Sequence, residues 1–225
     1  MPDEQTLDAT ALLDARARAG RAIRDLGHAF VSRSASLEQV ERLAEALESI
    51  SAELWPADPR DRALASEVAP DYPQGPFTPT FDDLPISGRS SPWGLDLELH
   101  RHGDEIEARV TLRSAHEGAP GRSHGGIVAA LFDDVFGYVL GMIGQPAFTG
   151  DLYVRYAAPT PLHRELACRV RLDERSSRKL LMSGELTDVE TGRLLVTAKA
   201  TFIAVDVEIF AKLTAQRPAP PDEDT

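Results

Sequence analysis

The run Ile127–Ile143 is the most apolar stretch of the chain, and it holds two adjacent carboxylates, Asp133 and Asp134, at its middle. It is long enough for a core helix and sits at the short end of what spans a bilayer. Two charges at mid-bilayer are costly, so the run is expected to be a buried helix and not a membrane span. Successive residues lie about 100° apart on a helix. Asp133 therefore shares a face with Gly126, Ala129, Ala130 and Gly137, all small, whereas Asp134 lies on the side of Leu131, Tyr138 and Gly141. A carboxylate in such a helix is expensive unless it is paired or working.

A polar, glycine-rich loop runs directly into this helix: Glu117-Gly118-Ala119-Pro120-Gly121-Arg122-Ser123-His124-Gly125-Gly126. The first amides of a helix have no intrahelical partner and carry partial positive charge. Gly125 and Gly126 allow a ligand close to that backbone. This is the equipment of an oxyanion-stabilising site. A tight turn into a helix would use the same glycines. Gly121-Arg122-Ser123-His124-Gly125 also matches the nucleophile elbow of the α/β-hydrolases, but that elbow needs a buried strand before it and a parallel sheet around it. Neither is legible here, and Ser123 is read as a loop residue.

Around this centre the texture changes three times. Residues 1–55 read as two helices, about 6–31 and 37–54, with Ser36 and Gln39 as a capping box and Leu37, Val40, Ala44, Leu47, Ser51 and Leu54 along one face. An antiparallel hairpin packed on the main domain or on a partner subunit is expected. The helices lack a basic face, which speaks against a DNA reader. Residues 56–92 carry prolines from Pro56 to Pro92 and read as an extended linker without regular elements, pinned by Tyr72, Phe77 and Phe81. Residues 93–205 alternate apolar and polar side chains on both sides of the helix: Leu95–Leu99, Ile106–Leu112, Leu152–Tyr156, Leu166–Leu172, Lys179–Asp188 and Leu194–Val205. Period-two alternation marks antiparallel strands with one covered face. The fold class is α+β, a sheet with one helix buried against it. Residues 206–225 form a C-terminal segment whose tail, from Arg217, is expected to be disordered.

Composition narrows the function. Asp and Glu total 36 against 24 Lys and Arg, a formal net charge of −12. Nucleic acids and anionic membranes are thus unfavoured partners. With Cys168 alone there is no internal disulfide, and the histidines show no zinc-ligand spacing, so no metal or cofactor is expected. Acidic residues interrupt the arginines of residues 1–30, where no secretory or transit pattern is read; a cytoplasmic location is expected.

The loop and helix resemble the hotdog-fold acyl-CoA thioesterases of the phenylacetate-pathway (PaaI) type, in particular the subgroup with the loop pattern E-G-P-P-G-x-x-H-G-G, from which this chain departs at Ala119. Thr149-Gly150-Asp151-Leu152-Tyr153-Val154-Arg155-Tyr156, with Pro159-Thr160-Pro161-Leu162 after it, resembles the family's strand ending in Y-x-x-P-x-P-L. The likeness covers about 90–205 and not 1–60. It implies a sheet wrapped round the helix, paired as a homodimer or homotetramer, and hydrolysis of acyl-CoA to CoA and a carboxylic acid, a role in lipid metabolism. By the resemblance Asp133 is the general base or nucleophile, the Gly125 amide the oxyanion donor, His124 the group that orients the thioester, and Thr149 the hydroxyl that helps place water. Such sites form across the subunit interface. Some members carry Asn six residues before the histidine, where this chain has Gly118. Two alternatives differ in kind: a hotdog module that binds acyl-CoA without hydrolysing it, and a hydroxyacyl dehydratase, whose His–acid arrangement is not seen here.

Overall fold

The computed structural model describes residues 4–58, 72–78 and 82–215. Two helices open the chain, α1 (Glu4–Ser32) and α2 (Leu37–Leu54). Short strand β1 (Gly75–Phe77) precedes β2 (Glu98–His102) and β3 (Glu105–Thr111). The central helix α3 (Gly125–Met142) follows, then β4 (Ala147–Tyr156), β5 (Glu165–Ser176), β6 (Lys179–Asp188), β7 (Leu194–Ala204) and a last helix α4 (Val207–Ala215). The strands form one antiparallel sheet in the order β1-β2-β3-β5-β6-β7-β4. The chain thus crosses from β3 to the far edge through α3, and β4 ends as an edge strand bonded only to β7.

The sheet buries its apolar face against α3. Val128, Leu131, Phe132, Val135, Phe136 and Val139 are fully buried. Each phenylalanine contributes about 1.5–3 kcal/mol by leaving water. By length and composition alone α3 would also cross a membrane; here it is the core helix that the sheet covers, as its paired carboxylates require. It is not buried all round. Gly126, Asp133 and Gly137 are exposed, so the small-residue face is the open one.

Two expectations need correction. The proline-rich linker does contain a strand: Gly75-Pro76-Phe77 pairs with Leu99–Arg101, Pro76 opposite His100. Proline is tolerated there because β1 is the outermost strand, where an N–H is not needed for a further neighbour. In the first alternating run, Leu95 and Leu97 precede the ladder, which starts at Glu98; Leu95 is buried without being in a strand. Phe81 and the tail from residue 216 lie outside the described residues.

The N-terminal helices have the expected ends, including the Ser36–Gln39 capping box. Their packing is different. α1 docks through Gly20, Arg24 and His28, spaced by four and all buried. The Arg24 guanidinium donates to the Ser91 carbonyl at 2.6 Å, the Arg89 carbonyl at 3.1 Å and Asp96 at 2.7 Å. α2 buries no residue, and Leu37, Leu47 and Leu54 stay exposed. α1 thus packs on the main domain, whereas the apolar stripe on α2 is exposed.

Gly20 is the contact point. A Cβ there would lie 2.6 Å from the backbone of Ser90. Gly20→Ala should therefore lift α1 off residues 89–96 and cost about 1–3 kcal/mol. Denaturant unfolding would measure the loss, and faster proteolysis within α1 should accompany it. Unchanged stability would show that α1 does not seat as described.

Candidate active site

The loop before α3 is built from its own backbone. Gly118 N–H donates to the Arg122 carbonyl at 2.9 Å and Arg122 N–H to the Ala119 carbonyl at 2.9 Å, while Ser123 N–H reaches the Thr160 carbonyl at 3.0 Å. Glu117 accepts from the Gly121 N–H. His124 is the N-cap of α3: its Nδ1 accepts from the Gly126 N–H at 3.0 Å. That fixes the tautomer, with the proton on Nε2. One amide at the helix start is thereby used. The other, Gly125 N–H, donates to no group among the described residues, as expected of a first-turn amide.

Gly125 is also held from the other side. The Tyr156 hydroxyl donates to its carbonyl at 2.6 Å. A Cβ on residue 125 would sit 3.1 Å from that hydroxyl, so only glycine fits comfortably. Burial raises the Tyr156 pKa, which keeps the phenol a donor. Tyr156 stood in the sequence motif without a role; its place over the helix start depends on β4 returning there.

Asp133 lies further along α3. Its Oδ1 accepts from the Thr149 hydroxyl at 2.9 Å, and its residue is exposed to solvent. Thr149 is aimed by an irregularity: the β4–β7 register shifts between Thr149 and Asp151, leaving Gly150 as an extra residue. Such bulges re-aim side chains next to functional sites. The four residues singled out in the sequence thus fall into two groups. Asp133 and Thr149 meet; His124 and Gly125 meet. Eight residues of helix, about 12 Å of rise, separate the groups within one chain.

Asp134, about 100° round the helix, faces Ser87 and Tyr138. The Tyr138 hydroxyl donates to Ser87 Oγ at 2.6 Å, leaving the Ser87 proton for the Asp134 carboxyl. Asp134 Oδ2 is buried without a hydrogen-bond partner. Burial raises the Asp134 pKa to about 6; the Ser87 bond opposes the shift and the charge of Asp133 adds to it. Ser87 comes from the proline-rich segment and carries no sequence signal for this contact. With Phe77, Leu97, Arg18 and Arg21 it also lines a cavity of about 800 Å³ between α1 and β2. No group of three or more histidine, cysteine or acidic side chains suited to a metal occurs among the described residues.

The sequence model of the thioesterase superfamily matches residues 121–195, which hold the end of the loop, α3 and strands β4 to β6. A crystal structure of a thioesterase superfamily protein superimposes with a TM-score of 0.70 and 26% identity, covering 84% of this chain and 94% of that one. The fold is the hotdog thioesterase fold. Among curated proteins, acyl-coenzyme A thioesterase THEM4 of Bos taurus is 30% identical over 117 residues, 51% of this chain and 48% of that protein. THEM4 of Mus musculus is 31% identical over 124 residues, 53% of this chain and 54% of that protein. The matches span about half the length of these curated relatives. In this hotdog chain residues 121–195, which the superfamily model matches, contain both carboxylates of α3.

The raised pKa of Asp134 has a stability consequence. The folded state holds its proton more tightly than the unfolded chain does, so the contribution is full below the ordinary carboxylate value of 3.8 and is lost as pH rises through about 6. Over that window the wild type should lose about 3 kcal/mol relative to Asp134→Asn. Paired denaturation series from pH 4 to 8 would measure the difference. A loss of the opposite sign would mean that the carboxylate, not the acid, is the favoured buried form.

Proposed function

We propose that the protein is an acyl-CoA thioesterase of the PaaI type. Water cleaves the thioester to a carboxylic acid and CoA at a site shared between two subunits. The observation that carries the reading is the Thr149–Asp133 hydrogen bond on the open face of α3, in a chain whose Gly125 amide is also left open. The Thr149 hydroxyl occupies Oδ1 and leaves Oδ2 to take a proton from water. The water oxygen bonds to the thioester carbon, and negative charge moves to the carbonyl oxygen. An amide at a helix N-terminus stabilises that charge. Collapse of the adduct breaks the C–S bond, and the CoA sulfur leaves with a proton. His124 acts through structure in this scheme. Its Nδ1 caps Gly126, which gives it the task of shaping the amide cradle, not of touching the thioester from that nitrogen.

The 12 Å spacing on α3 requires the amide of one subunit and the carboxylate of the other. What supports the dimer is the free edge of β4, with Phe148, Tyr153 and Tyr156 exposed along it, beside the uncovered small-residue face of α3. An open strand edge with apolar side chains is a pairing surface. Sedimentation velocity should find the active species at least dimeric. An active monomer would sink the shared site.

The chemical test is release of free CoA thiol across short, medium, long and aromatic acyl-CoAs. Asp133→Asn should lower turnover by about 10²–10⁴, the range of acid–base catalysis, with folding little changed. Thr149→Ala should cost about 10–10², and Asp134→Asn far less than either. Tight acyl-CoA binding without thiol release would favour the non-catalytic module instead.

A further inference from the structure

The resemblance stops short of residues 1–60. α1 nevertheless reaches the site loop through two hydrogen bonds joined by the Ala115–His116 backbone. His28, 7% exposed, accepts the Ala115 N–H on Nδ1 at 2.9 Å. Ala115 lies in the 3-10 turn Ser114–His116. The His28 ring stands perpendicular to the His116 ring, with centroids 4.7 Å apart. Within the turn, His116 Nδ1 accepts the Arg113 N–H at 3.0 Å. The His116 carbonyl then accepts the N–H of His124 at 2.8 Å, and His124 caps α3. Outside this path the Arg113 guanidinium ties back to α1 through Asp25 at 2.6 Å.

We infer that His28 is a positioning residue: through Ala115 and His116 it sets the place of His124 and hence of the Gly125 amide. The inference rests on the proposed role of that amide in thioester hydrolysis. The chemistry of the contact is specific. Ala115 is itself exposed, but its N–H turns to the buried His28 ring in a part-buried hydrogen bond, and loss of that acceptor would leave the donor without its partner. To accept, His28 must be neutral at Nδ1. Burial, chiefly, lowers the His28 pKa and takes that of His116 to about 4, so both rings stay neutral acceptors near pH 7. Had the loop needed only an apolar lid, a leucine on α1 would serve; α1 instead leaves Leu12, Leu13 and Ile23 exposed and spends its buried face on Gly20, Arg24 and His28. Removing residues 1–55 is therefore expected to lower turnover.

The test uses the full chain and two substitutions of similar size. His28→Asn keeps an acceptor near the position of Nδ1; His28→Leu does not. Hydrogen exchange of the amides from 115 to 126 should quicken at least tenfold in His28→Leu and stay near wild type in His28→Asn. Turnover should follow the same split. His28→Leu loses about 10–10² in kcat with KM within threefold, as misplacing a transition-state donor does, and His28→Asn stays within threefold of wild type. Asp25→Asn, at an exposed position, keeps the test alive if His28→Leu fails to fold: it should quicken exchange in the same segment by a smaller factor. Equal exchange in a folded His28→Leu protein, or unchanged exchange in Asp25→Asn when His28→Leu does not fold, would overturn the brace. If exchange responds as expected but the wild type releases no CoA, the brace stands and the thioesterase reading fails.

Discussion

Everything in this molecule is referred to the seating of α3 in the sheet. Phe132 and Phe136 are fully buried between the helix and the strands, and their rings lie 6.2 Å apart on one side of α3. Truncating such a side chain typically costs 3–5 kcal/mol, a large share of the stability of a domain. That anchorage fixes the rotation of α3 about its axis. With the phenylalanines inward, Asp133 is turned to the open face and Asp134 to the proline-rich segment. Two neighbouring carboxylates thus receive opposite environments from one packing decision.

The consequences separate along the helix. Asp133 stays in contact with solvent and with a hydroxyl delivered by a bulged edge strand. Asp134 loses water and keeps a proton to about pH 6. The exposed carboxylate stays open to solvent, whereas the buried one, with Ser87 beside it, ties α3 to the segment that α1 also grips through Arg24. The N-terminal helix, the proline-rich segment and the site loop therefore share a single frame around α3.

Much of this was legible in the sequence. Strict alternation gave β6 its bounds, Lys179–Asp188, to the residue, because a sheet covered on one face imposes a period of two. The apolar run gave α3 within two residues at each end. Glycines before it marked a helix start with close backbone approach, and Asp133 stood out because its charge contradicts its surroundings. The short strand at Gly75–Phe77 was hidden, since proline argues against strands except at an edge, and which segment forms an edge is a property of the whole sheet.

The sequence by itself determined where the central helix runs and which polar side chains and glycines lie on it and on the loop before it, since residue type and local period are local properties. Tertiary structure alone decided their partners. Thr149 reaches Asp133 only because β4 crosses to the far edge of the sheet. Ser87 meets Asp134 across 47 positions, and His28 bonds to Ala115 across 87. No periodicity records such contacts, because they depend on where separate elements come to rest against one another. For the same reason the apolar stripe of α2 suggested a seam, while it is α1 that docks, through a glycine, an arginine and a histidine. An amphipathic stripe states that a helix needs a partner; only the packed fold states which side chains the partner accepts.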